Sequence, residues 1–138
     1  MICYDITDAD RALIDTAMAA LERSYDGHYH VVGAALRCQN GRVYAGVNCD
    51  GIHGSCAEFT AMGAAVAAGE KAFDTIVAVH KNAPNHVVAP CGNCRQMLFE
   101  YGPDIRVLVN DDEGKLVKVC VRDLLPFAYV EIPLQDGM

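Results

Sequence analysis

The chain has no excess of positive charge: 11 Lys and Arg stand against 18 Asp and Glu, for a formal net charge of -7 over 138 residues. Nucleic-acid binding draws its affinity from neutralising phosphates, so the missing basic stripe argues against a polynucleotide partner and for a small molecule. An uninterrupted apolar run long enough to cross a bilayer is also missing. The most apolar stretch, AEFTAMGAAVAAGEKAF at residues 57–73, carries charges towards both ends. The first residues, MICYDITDADRALID, lack the basic start and apolar core of a secretory signal. No repeat, linker or low-complexity segment interrupts the chain. These absences lead to the expectation of one domain over residues 1–138, cytoplasmic, with no membrane partner. An even cysteine count is lacking as well. Seven thiols in a cytoplasmic chain are apolar fillers or ligands before they are disulfides.

What is present has clear periodicity. Leu13, Ile14, Ala17, Met18 and Leu21 recur at helical spacing, with Thr7 as N-cap. HVVGAALRCQNGRVYAGVN (residues 30–48) reads as two strands around an Asn40–Gly41 turn. SCAEFTAMGAAVAAG (residues 55–69) is a helix stopped by Gly69, apolar nearly all round and so expected to be buried. DTIVAVHK is a short buried strand, CGNCRQMLFEYG a helix ending at Gly102–Pro103, and RDLLPFAYV a short last helix. IRVLVN and LVKVCV are two strands with a gap too short for a helical crossover, so they pair antiparallel. The order predicts an α/β protein: a three-layer α/β/α sandwich around a five-stranded mixed sheet whose last two strands are antiparallel.

The chemistry starts from APCGNCRQ, residues 89–96. Cys91 and Cys94 are three apart in the first turn of a helix, where the partial positive charge of the N-terminus favours thiolates. On this pair alone zinc, a redox pair and two merely structural thiols all stay open. SCAEF, at residues 55–59, opens a second helix with Cys56. If both helices aim their N-termini at one place, three thiolates converge. Three protein ligands with a fourth position open to water is the pattern of a catalytic zinc, whereas structural zinc is closed by four. Glu58 is poorly placed to complete that tetrahedron and better placed to move protons beside it. C-x-E with P-C-x-x-C is the signature of zinc deaminases, with Cys in place of the first His.

With these residues the sequence resembles the cytidine deaminase family in its small tetrameric form. VGAAL, GVN, CAE, PCGNCRQ and DLLP occur in the family's order. The resemblance implies a zinc-dependent hydrolase that removes ammonia from a cyclic amidine. It implies Zn2+ held by Cys56, Cys91 and Cys94, Glu58 as the catalytic acid and base, and a homotetramer with active sites near subunit interfaces. It also implies substrate contacts from His30, Asn48, Asp50, Ala57 and Tyr129. Three positions depart from the nucleoside enzymes. Asp50 replaces a glutamate, Phe59 an arginine that offsets thiolate charge, and His30 a phenylalanine. All three, with the LLPFAYV end, look more like the blasticidin S deaminase-like members. Arg95, next to Cys94, is then the expected charge compensator.

Two other functions compete with that reading. One is an ordinary cytidine or deoxycytidine deaminase of pyrimidine salvage. The other is a non-catalytic, zinc-stabilised oligomeric binding domain, in which Glu58 would be dispensable. Cys3, Cys38, Cys49 and Cys120 are expected as buried or half-buried thiols without metal. His28 and His53 are expected as loop histidines, and NDDEG as a solvated turn lacking the spacing of a calcium loop.

Overall fold

The computed structural model describes residues 1–133; the last five residues of the expected 1–138 domain lie outside the described residues. Chain order is α1 (Asp8–Ser24), β1 (Gly33–Cys38), β2 (Val43–Val47), α2 (Ala57–Ala67), β3 (Phe73–Val79), β4 (Val87–Val88), α3 (Gly92–Tyr101), β5 (Arg106–Asn110) and β6 (Leu116–Cys120). The strands lie side by side as β2-β1-β3-β5-β6, with the two-residue β4 also paired to β3. β3 and β5 are parallel and every other pair is antiparallel, so the sheet is mixed and the last two strands pair as expected.

Strand alternation assigns the two faces. Ala34, Leu36, Ile76, Ala78, Val107 and Val109 pack with α2 and α3, while their neighbours Ala35, Val77, Val79 and Leu108 pack with α1. Two helices cover one face and one covers the other, giving the three layers. The turn between β1 and β2 uses Gly41 at φ +89. Gly69, also at φ +89, ends α2 in a Schellman arrangement: its N–H reaches the Val66 carbonyl and that of Glu70 reaches Ala65.

Four expectations change. α2 is not buried all round: Gly63, Ala64, Val66 and Ala67 are exposed, because the sheet covers one face of the helix and nothing described covers the other. The last helix is a single 3-10 turn, Val121–Leu124, where Pro126 follows too closely for an α-helix to continue. Strand β4 is too short to leave a periodic pattern. Cys38 and Cys120 are buried as expected, but Cys3 and Cys49 are exposed and not buried or half-buried, because they stand before α1 and after β2, outside the packed elements.

α1 is fastened to the sheet by a buried carboxylate. Thr7 caps the helix and forms a reciprocal box with Asp10, whose Oδ2 accepts the Thr7 N–H at 3.0 Å. The same carboxylate, 0% exposed, accepts Arg37 of β1 at 2.8 Å and Lys118 of β6 at 2.7 Å. Burial alone would raise its pKa. The Lys118, Thr7 and Arg37 hydrogen bonds outweigh this and hold it at about 2. A depressed carboxylate stabilises the fold above its unfolded pKa near 4, and that gain disappears as pH falls through 2; the shift corresponds to about 2 kcal/mol. Asp10→Asn leaves the buried Lys118 without its anion and half-buried Arg37 with Asp74 alone, and is expected to cost about 3–5 kcal/mol. Urea unfolding at neutral pH measures it, and a loss under about 1 kcal/mol contradicts the clip.

Candidate functional site

Cys56 and Cys91 are the N-cap residues of α2 and α3, with extended backbones. Cys94 stands in the first turn of α3 and is fully buried. The two helix N-termini converge, which meets the condition the spacing left open. The three Sγ atoms lie within 4.8 Å of one another, and Cys56 Sγ is 3.8 Å from Cys91 Sγ. Tetrahedral zinc with bonds of about 2.3 Å sets its sulfurs about 3.8 Å apart, so the donor set fits that ion.

The thiols' own electrostatics call for a cation. Burial pushes Cys56 and Cys94 up from the ordinary thiol value. Burial also acts on Cys91, but the amides of Cys94 and Asn93 and the neighbouring thiols outweigh it and bring that thiol down. A divalent cation is what allows all three to ionise together. Glu58, in the first turn of α2, is 4% exposed, and burial raises its carboxyl above the ordinary value. Its helix is held close to the sheet by Gly46 of β2. A Cβ there would collide with the Thr60 side chain and stand 2.5 Å from the Ala61 nitrogen.

A cavity of about 380 Å³ opens beside this cluster. It is lined by Cys56, Ala57, Glu58 and Cys91, and also by Asn48 and Asp50. Of the residues marked in the sequence, those six share one space. Val32, Ser55, Val88 and Ala89 line it too, although sequence reasoning did not single them out. β4 explains the last two, since pairing with β3 carries the chain past the cavity just before Pro90 and Cys91.

Three marked residues sit elsewhere. His30 is not in the lining; its Nδ1 is 2.8 Å from the Asn48 carbonyl, which can only accept, so the ring donates there. Tyr129 is 64% exposed and borders a different depression with Phe99, Glu100 and Pro103; its carbonyl accepts from Gln96 Nε2 at 2.9 Å. Arg95 donates through Nε to the Pro90 carbonyl at 2.8 Å and through Nη1 to the Leu124 carbonyl at 2.9 Å. Among the described residues, none of its hydrogen bonds reaches a sulfur. Instead it ties the start of α3 to the 3-10 turn at Val121–Leu124. Phe59 packs against the core on the α2 and α3 face of the sheet.

Known proteins resemble the chain over nearly its whole length. Residues 7–110 match the cytidine and deoxycytidylate deaminase zinc-binding region. The blasticidin-S deaminase of Bacillus cereus is 37% identical over 94% of this chain and 98% of its own. The cytidine deaminase of Halalkalibacterium halodurans is 33% identical over 90% of this chain and 96% of its own. Among solved structures, cytidine deaminase from Burkholderia pseudomallei superimposes with a TM-score of 0.73 at 36% identity, covering 90% of this chain and 100% of that one. Cytidine deaminase from Mycobacterium tuberculosis gives 0.74 at 28%, covering 91% and 100%. The chain therefore belongs to the cytidine and deoxycytidylate deaminase family and carries its zinc-binding region.

Proposed function

We propose that residues 1–138 form one zinc-dependent deaminase domain acting on a cytosine-type nucleoside of the blasticidin S kind. The buried Glu58 beside three convergent thiols carries this reading, because a purely structural zinc site has no use for a carboxylate there. Cys56, Cys91 and Cys94 hold the metal. Bound there, zinc supplies the Lewis acidity that makes water a nucleophile at neutral pH. Water adds to the amidine carbon, C4 of cytosine, and ammonia leaves. Glu58 accepts the proton of the attacking water and delivers protons to the ring nitrogen and then to the departing amine. Its burial favours both protonation states being reachable during turnover. Ala57, at the start of α2, seats the pyrimidine through its backbone. Arg95 acts on the thiolates through its field, since two of its nitrogens are bonded to carbonyls.

The blasticidin kind is favoured over ordinary pyrimidine salvage by Asp50, Phe59 and His30, and by the stronger match to the Bacillus cereus enzyme. Ammonia release from blasticidin S and from cytidine decides between them. We expect kcat/KM to favour blasticidin S by about ten-fold or more, and the opposite order returns the chain to salvage.

The chain works as a homotetramer in the cytoplasm. The exposed, uncharged side of α2 and the exposed Phe127, Tyr129, Val130 and Ile132 favour such an assembly. Tyr129, remote from its own cavity, then serves a neighbouring subunit's site. Light scattering is expected to give the mass of four chains, and a fully active monomer contradicts this. Seven free thiols suit a reducing compartment, and no helix among the described residues is long and apolar enough to cross a membrane.

A further inference from the structure

β4 fills a gap where two parallel strands part. β3 pairs with β5 only at Thr75–Arg106 and Ile76–Val107, and then takes Val88 and Val87 of β4 opposite Ala78 and Val79. On its other side β4 has no ladder partner among the described residues. Two residues on a single ladder are too few to hold a strand in place by themselves. Alternation sends Val87 into the packing with Leu13 and Leu108, and Val88 to the opposite face, where it and Ala89 line the cavity. A wall of the site therefore hangs on a strand that needs other support.

Two asparagine amides supply it. Asn110, the last residue of β5, donates through Nδ2 to the Val87 carbonyl at 3.0 Å and to the Pro84 carbonyl at 2.9 Å. Asn85 donates through Nδ2 to Asn110 Oδ1 at 2.8 Å and to the carbonyl of Gly114, between β5 and β6, at 3.0 Å. Carbonyls only accept, so these three turn both amide nitrogens towards themselves and leave the Asn110 oxygen to meet Asn85. The backbone here is strained. Asn85 and His86 follow one another at φ 55 and φ 60, a left-handed conformation that L residues keep only where their surroundings fix it. The chain then rejoins β3, the His80 N–H reaching the His86 carbonyl at 2.9 Å. Beyond Ala89, Arg95 Nε holds the Pro90 carbonyl. Val88 and Ala89 thus span the interval between two anchors, the asparagine pair before them and Arg95 after them. Among the described residues neither asparagine lines the cavity or bonds to the thiols or to Glu58.

We propose that Asn85 and Asn110 are positioning residues, whose interlocked amides hold β4 in the gap and so set where the Val88–Ala89 wall meets the substrate. They act on substrate affinity and leave the metal and the proton transfers alone. This rests on the deaminase reading above.

Amide hydrogen exchange on the full, zinc-loaded chain tests the hold without any substrate. Asn110→Ala removes three side-chain hydrogen bonds and is expected to speed exchange of the His80 amide by about ten-fold. Ammonia release tests the wall, on whichever of cytidine and blasticidin S the wild type turns over faster. In Asn110→Ala, KM is expected to rise by about five- to ten-fold with kcat within about two-fold of wild type and zinc content unchanged. A pair with a structural role alone would lower the unfolding temperature and leave KM where it was. Asn85→Gly separates the two roles, and does so even if Asn110→Ala does not fold. Glycine adopts φ 55 without strain, so this variant gives up both amide bonds and sheds the backbone penalty together. Its unfolding temperature is expected to stay within about 3 °C of wild type while KM still rises by about three-fold. Unchanged KM in the variants that fold, a fall in kcat with KM unchanged, or unchanged exchange at His80 overturns the proposal. If the wild type turns over neither nucleoside, the substrate reading falls, while exchange at His80 still decides whether the pair holds β4.

Discussion

Glu58→Gln is expected to lower ammonia release by roughly three to five powers of ten while leaving zinc content unchanged. Glutamine keeps the shape and length of the side chain, so the surroundings of the thiol cluster stay as they are. What disappears is the ability to take a proton and return it. In hydrolytic deamination that ability is needed repeatedly: on the attacking water, on the ring nitrogen and on the departing amine. In the proposed reaction one buried carboxyl in the first turn of α2 serves all of these, and among the described residues no other carboxylate but Asp50 lines the cavity. Asp50 already accepts from Asn48. A loss smaller than about ten-fold, with zinc still bound, would mean that the protons move through another group.

Cys94→Ala is expected to reduce bound zinc from about one per chain to about a tenth or less and to abolish turnover with it. Cys94 is the fully buried member of the three, so its loss also removes packing at the base of α3. Metal binding is coupled to folding, and the variant should therefore unfold at a lower temperature than the zinc-loaded wild type. The wild type stripped of zinc is the proper control. If it unfolds where the variant does, the missing stability belongs to the metal. A variant that retains stoichiometric zinc would show that Cys94 is a core thiol and not a ligand.

The sequence made the zinc centre readable because local and distant signals agreed. Cys91 and Cys94 share one turn, and Cys56 with Glu58 share another, so each half could be read from spacing. Their convergence followed from two helices with apolar faces turned to the same side of the sheet. The strands were legible for a similar reason: residues 33–38 and 73–79 alternate or run apolar between clear turn signals. The less legible parts depend on contacts that sequence spacing does not encode. Lys118 meets Asp10 across 108 positions, and nothing near either residue announces it. β4 is two residues long, below the length at which period two can be seen. Val88 and Ala89 reach the cavity only through that pairing.

The substrate side was harder to read for a further reason. The family resemblance implied Asn48, His30 and Tyr129 as contacts, but a resemblance does not reveal how a side chain's hydrogen bonds are already used. Asn48 is bonded to the segment before β1, His30 is turned to the Asn48 carbonyl, and Tyr129 borders another depression on its own chain. Arg95 illustrates the same limit. Its place beside Cys94 marked it as a charge compensator, but not that its guanidinium fastens the Pro90 and Leu124 carbonyls that frame the start of α3.

The three-thiol cluster and Glu58 are expected to work together as a zinc-dependent deaminating centre. Ammonia release followed while zinc is returned to chelator-stripped protein tests it most directly. Release is expected to rise in proportion to added metal and to level off at about one zinc per chain. Release that persists in the stripped protein, or a chain that takes up no zinc, would contradict it.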